Sequence, residues 1–111
     1  MTGTEIYEKA IVSLGYSDDP VFKRRAVVCL NQIYEELFGI VGKGEFKPIK
    51  SLADSLTLPD KVSGGAAVYG LAERLALGEG DGELQQYFAR QYDRAKARLN
   101  KTDRVDDVMP R

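Results

Sequence analysis

The sequence has no histidine, no tryptophan and a single cysteine, Cys29. Without histidine there is no His-based acid/base pair, no Ser–His or Cys–His nucleophile and no ordinary zinc site. A lone cysteine closes no disulfide within the chain, which points to a reducing, cytosolic environment. Long apolar runs are also missing. The longest fall far short of the ~18 residues of a membrane span, and no basic start followed by an apolar run marks a signal peptide. Charge of one sign is missing too: 16 Lys and Arg stand against 17 Asp and Glu, for a net charge of −1. That argues against a globally basic nucleic-acid binder and leaves room only for a local patch. The expectation is a soluble intracellular protein that is not an enzyme, holds no metal or cofactor, touches no membrane and works by binding other proteins.

What is present suffices for one domain. With 111 residues, 43% of them hydrophobic, the chain can bury roughly 60–70% of its unfolded surface without a metal or disulfide staple. Four segments show helical spacing. The first covers about residues 4–14, with Ile6, Ala10, Ile11 and Leu14 on one stripe. Thr2 and Glu5 are spaced as a capping box, and Gly15 ends the helix. The second starts at Ser17-Asp18-Asp19-Pro20, where Asp caps and Pro suits the first helical position. Phe22, Ala26, Cys29, Leu30, Ile33 and Leu37 then recur at helical spacing, widened by Val27, Tyr34 and Phe38, and Gly39 is the expected stop. The third runs from Thr57-Leu58-Pro59-Asp60 to Leu77, with Thr57 and Asp60 as a capping pair. It is apolar on two sides: Val68, Leu71, Ala72 and Leu75 on one, Val62, Ala66, Tyr69 and Ala76 on the other. Two apolar sides need two covers, and a neighbouring subunit is the natural second. After the tight connector at residues 78–82, the fourth helix covers about 83–99 and folds back antiparallel, burying Leu84, Tyr87, Phe88, Tyr92, Ala95 and Leu99.

Between the second and third helices, Gly39, Gly42, Gly44 and Pro48 erase periodicity over residues 39–56. A connection that long is functional or hides an element such as a hairpin, and the residues leave both open. The expected architecture is all-α: a single four-helix domain over residues 1–99, a long Gly-rich loop between helices 2 and 3, and a flexible tail over 100–111.

Reactive-looking features have plain explanations. Cys29 falls on a core stripe. Glu35-Glu36 and Asp106-Asp107 are sequence neighbours that do not face each other on a helix, and read as solvated charges. Gly42-Lys43-Gly44 lacks phosphate-loop spacing, and Gly80-Asp81-Gly82 lacks the alternating acids of a calcium loop. Two cationic groups stand out. Lys23, Arg24 and Arg25 occupy a first turn whose dipole disfavours each by ~0.3–1 kcal/mol; Asp18, Asp19 and solvent offset that cost, or an acidic partner does. Arg90, Arg94 and Lys101, with Arg98 close by, share a flank of the fourth helix that is either solvated or in contact with DNA phosphates or an acidic subunit surface.

The run Leu56-Thr57-Leu58-Pro59-Asp60, then Ala66-Ala67-Val68-Tyr69-Gly70-Leu71-Ala72-Glu73-Arg74-Leu75-Ala76-Leu77, resembles the head-to-tail adaptor (connector, or head completion) proteins of tailed bacteriophages. So does the following Gln86-Tyr87-Phe88-Ala89-Arg90-Gln91-Tyr92-Asp93-Arg94-Ala95 after a short acidic connector. The likeness spans residues 56–99 and rests on packing and turn residues. It implies a helical virion subunit of a phage or prophage, assembled in the host cytoplasm into a ring beneath the portal. Such a ring extends the DNA channel, touches DNA non-specifically and offers the tail proteins a docking surface. It also implies that residues 100–111 act as a docking arm onto the portal. On that reading Val62, Ala66, Tyr69, the loop at 42–48 and the tail are interface elements. The alternative is a small helical DNA-binding regulator, for which the turn at residues 15–19 leading to Lys23-Arg24-Arg25 is the candidate recognition element.

Overall fold

The computed structural model describes residues 1–108, with side chains for residues 1–99. Five helical stretches follow one another: α1 (Gly3–Leu14), α2 (Pro20–Val41), a single turn α3 (Asp60–Ser63), α4 (Ala66–Gly78) and α5 (Gly82–Val108). No β-strand occurs among the described residues, where Thr2 and Ser55 form an isolated bridge. The all-α, four-helix expectation is met, with α3 a one-turn preface to the third long helix.

Local signals set the starts. The Thr2 hydroxyl accepts the Glu5 amide at 3.2 Å, and the Glu5 carboxylate accepts the Thr2 amide at 2.9 Å. The Asp19 carboxylate accepts the Val21 amide at 2.7 Å ahead of Pro20. Asp81 does the same for α5, accepting the Leu84 amide at 3.3 Å while taking the Tyr16 hydroxyl on its other oxygen.

Three boundaries differ from the sequence reading, two of them at glycines. Gly39 lies inside α2, which stops at Gly42 instead. One helical glycine costs only about 1 kcal/mol, and continuing through it keeps Phe38 and Val41 against the core. At Gly42 a Cβ would stand 2.4 Å from the Phe38 ring and 2.6 Å from its carbonyl oxygen, so the close approach there requires glycine. The expected third helix splits at Gly64 and Gly65 into α3 and α4. Thr57 does not cap it: its amide donates to the Tyr34 hydroxyl at 3.0 Å, and the two hydroxyls pair at 2.6 Å.

α4 is the centre of the molecule. Its two apolar faces are both covered from within the chain, because α1, α2 and α5 each pack on it and leave Leu71, Ala72, Leu75 and Ala76 with no exposed surface. The expectation that one face waits for a neighbouring subunit is therefore corrected. Two of these helices approach α4 closely because Gly70 leaves room beside its backbone for Ile33 of α2 and Tyr92 of α5. The α4–α5 contacts Glu73–Gln85 and Tyr69–Phe88 recede in step from the connector, as an antiparallel pair requires.

The segment after Gly42 is neither a hairpin nor a free loop. The Asn31 side chain brackets Ile49, donating to its carbonyl at 2.9 Å and accepting its amide at 2.8 Å. The carbonyls of Asp54 and Leu52 accept the first-turn amides of Gly3 and Thr4 at 3.0 and 2.8 Å, satisfying donors that α1 cannot pair internally. Ile49, Leu56 and Leu58 are buried. Residues 43–48 stay exposed except Phe46, which stands in an aromatic cluster with Tyr34 and Phe38. α5 runs on past Leu99, where a flexible tail was expected, to Val108; the expectations for side chains of residues 100–111 lie outside the described residues.

Candidate functional site

Tyr69 stands half-buried between two grooves. On one side α1 contributes Glu5, Glu8, Lys9, Val12 and Ser13 to a groove of about 550 Å³ that Val68 and Tyr69 complete. On the other, a groove of about 560 Å³ runs between the end of α2, the α3–α4 corner and α5. Val41, Val62, Ala66 and Leu99 line it, with Lys61 and Arg98 among its residues. The three residues expected at an interface thus come together, but unequally. Val62 and Ala66 are buried at 6% and 4% exposure, so they serve as groove lining, and Tyr69 is the member with surface to offer. Tyr69 is held by stacking on Phe88, with ring centroids 6.4 Å apart, and Phe88 meets Tyr87 edge-on. Tyr87, expected in the core, is 47% exposed.

The cationic clusters divide. Lys23 pairs with Asp18 at 3.4 Å, and Arg25 pairs with Glu79 at 3.1 Å while lying over the Phe22 ring and against Gly78. The unfavourable charge in the first turn of α2 is thereby absorbed within the chain, and Arg24 is left exposed. On α5, Arg90, Arg94 and Arg98 are exposed, and Arg90 and Arg94 form no ion pair among the described residues. Lys101, the fourth member of that flank, lies outside the described side chains.

The sequence reading missed a polar hub at Glu36. Its carboxylate accepts the Tyr92 hydroxyl at 2.7 Å and the Lys96 ammonium at 3.3 Å, and faces the Arg74 guanidinium at 3.6 Å. Arg74 also donates to Gln32, and the Lys96 ammonium sits 4.4 Å from the Tyr92 ring centre. Glu36 is therefore not the plain solvated charge its neighbour Glu35 suggested: it ties α2 to α4 and α5. Nothing local in the sequence marks it, because its partners lie 38 to 60 positions away. Cys29 is half-buried beside Arg25 and Arg74, and burial pushes its thiol up, away from thiolate reactivity.

Comparison with family models, with characterised proteins and with solved structures finds no match to this chain. The surfaces themselves carry the functional reading. Among the described residues no group of three or more His, Cys, Asp or Glu is placed to hold a metal ion, and no helix is long and apolar enough to cross a membrane.

The titrating groups predict the pH response. Burial pushes the Glu36 carboxyl up, but the Tyr92 hydroxyl, Lys96 and Arg74 outweigh it and leave it below the usual range. The Thr2 amide and hydroxyl lower Glu5, and the Tyr7 hydroxyl, donating at 2.7 Å, lowers Asp18. Their contribution to stability is complete above their unfolded values, near pH ~4, and is lost as pH falls through the lower folded values. Burial, reinforced by Asp18, pushes Tyr7 up to about 12, and burial raises Tyr16 and Tyr92 as well. That contribution is complete below pH ~10 and is lost as pH rises through the folded values. No histidine titrates between these wings. Thermal melts should give a plateau from about pH 5.5 to 8 with losses on both sides; a marked slope between pH 6 and 7 would contradict this assignment.

Proposed function

We propose that the chain is a structural subunit of a phage or prophage head–tail junction, assembling into a ring at the portal vertex through protein–protein contacts. Its site of action is then the virion, after assembly in the bacterial host. The observation that carries this reading is the surface around Tyr69: a folded chain whose core is closed still keeps a mainly apolar groove open beside a partly buried tyrosine. Apolar surface of this kind, bordered by polar groups, marks sites of protein association. Apart from residues 56–60, the residues that carry the adaptor resemblance lie in α4 and α5, which contribute Ala66, Tyr69, Ala95 and Leu99 to that surface. The exposed Arg90 and Arg94 fit non-specific contact with DNA in a channel. The regulator reading is less well supported, since the candidate recognition turn spends Lys23 and Arg25 on Asp18 and Glu79.

Light scattering from micromolar to near-millimolar protein tests the proposal. A discrete large oligomer is the expected result, and a strict monomer throughout counts against assembly by the chain alone. The Tyr69→Asp chain should remain helical and melt cooperatively, because the lost stacking on Phe88 costs only about 0.5–1.5 kcal/mol beyond area burial. It should nevertheless fail to join a ring; normal assembly by this variant would remove the Tyr69 face from the interface.

A further inference from the structure

The outer face of α2 carries features that no contact within the chain explains. Val21 and Val28 are 50% and 61% exposed, and Gly39 is exposed as well. Val28 and Gly39 follow Val21 by about two and five helical turns, so the three share one stripe. A glycine inside a helix is destabilising relative to alanine. At Gly70 close neighbours account for it, whereas at Gly39 no neighbour lies within 4 Å of where a Cβ would stand. Such a notch lets another backbone approach closely. On one flank of the stripe stand Arg24 and Glu35, both exposed and both without an ion pair among the described residues. On the other flank Arg25, Gln32 and Glu36 are engaged by Glu79, Arg74 and Tyr92.

This face is complementary to itself. In an antiparallel pair of α2 helices with its two-fold axis level with Leu30, Val21 of each copy meets Gly39 of the other, and Val28 meets Gln32. The same register brings Arg24 to Glu35 twice, because a two-fold axis repeats every contact in reverse. A parallel pair would instead set Arg24 against Arg24 and Glu35 against Glu35, so the charges select the antiparallel direction. We infer that the outer face of α2 receives α2 of a second copy, with Val21 seated at Gly39 and Arg24 opposite Glu35. One helix per copy makes the contact small beside those of obligate dimers, and the pair is reversible. An isologous contact closes at two copies. It therefore does not build the proposed ring, does not rest on it, and shares no residue with the grooves beside Tyr69.

Sedimentation equilibrium on the full chain at low salt, from micromolar to near-millimolar, tests the contact. The Tyr69→Asp chain is the parent for this experiment, because it removes the proposed ring contact and leaves α2 untouched. It should form a reversible dimer. Arg24→Glu and Glu35→Arg should each weaken pairing about tenfold, since either one sets two like-charged pairs across the interface. Mixed in equal amounts, the two variants should pair with each other as well as the parent pairs with itself, because each offers the charge that the other lacks. A folding defect in either variant could not produce that recovery. Gly39→Leu should raise the melting temperature of dilute protein, by removing a helical glycine, and yet weaken pairing by filling the notch. A strictly monomeric parent, or a mixture that associates no better than its components, would overturn the inference.

Discussion

Replacing Tyr34 by alanine should remove about 3–5 kcal/mol of stability, a large share of the 5–15 kcal/mol typical of a domain. Tyr34 is 1% exposed, and its ring meets Phe46 at 4.9 Å and Phe38 at 6.1 Å between centroids, both edge-on. Its hydroxyl accepts the Thr57 amide and pairs with the Thr57 hydroxyl, fastening the long connection to α2 just before α3. Truncation therefore empties a core position and also leaves the Thr57 amide unpaired. Tyr34→Phe separates the two effects: the ring remains, and the lost hydrogen bonds to exposed Thr57 cost about 0.5–1.5 kcal/mol. Urea unfolding should rank the chains in that order, with faster hydrogen exchange at Thr57 in both variants. A loss below about 1 kcal/mol for Tyr34→Ala would mean that the connection does not depend on this anchor.

The second large effect is expected at Gly70. A Cβ built there would lie 2.8 Å from Cδ1 and 3.0 Å from Cγ2 of Ile33, and 3.0 Å from Cε1 of Tyr92. Alanine gains about 1 kcal/mol of helix propensity while asking those side chains to give by a few tenths of an ångström, so Gly70→Ala should be close to neutral. Gly70→Leu has nowhere to go. Overpacking of this kind costs about 1–3 kcal/mol or more, which lowers the melting temperature of a domain of this size by roughly 4–8 °C per kcal/mol. The displaced Tyr92 would also withdraw its hydroxyl from Glu36 and loosen the polar hub. An unchanged melting temperature in Gly70→Leu would show that the three-helix approach at α4 is not tight. Gly70 lies within the Tyr69-Gly70-Leu71-Ala72 core of the adaptor resemblance, so the glycine there has a packing reason of its own.

Tyr34 and Gly70 both belong to the platform on which Tyr69 and its groove stand. Tyr92 and Gly70 position α5 on α4, and that pairing sets how far Ala95 and Leu99 stand from Val62 and Ala66. Tyr34 and Asn31 hold residues 49–57 against α2, and Ile49, Leu56 and Leu58 complete the core below. On the ring reading proposed above, a variant that loosens either anchor should weaken assembly even though it alters no residue of the proposed Tyr69 surface. Assembly data on core variants therefore need a melt alongside them.

The sequence by itself determined the helical class, the capping box at Thr2 and Glu5, the Asp19-Pro20 start and the turn at Gly15. These are written in near neighbours: caps act within one turn, and helical periodicity repeats every three to four residues. Cationic flanks could be read for the same reason. What only the tertiary structure decided were the relations between distant residues. Lys23 and Arg25 are spent within the chain, Glu36 joins three helices, and the 43–57 connection is fastened by Asn31 and Tyr34. The two apolar faces of the third helix showed that two covers were needed, but not that α1, α2 and α5 of the same chain supply them. Periodicity reports how much of a helix must be buried and is silent about what buries it, because the partner is chosen by packing between segments far apart in sequence.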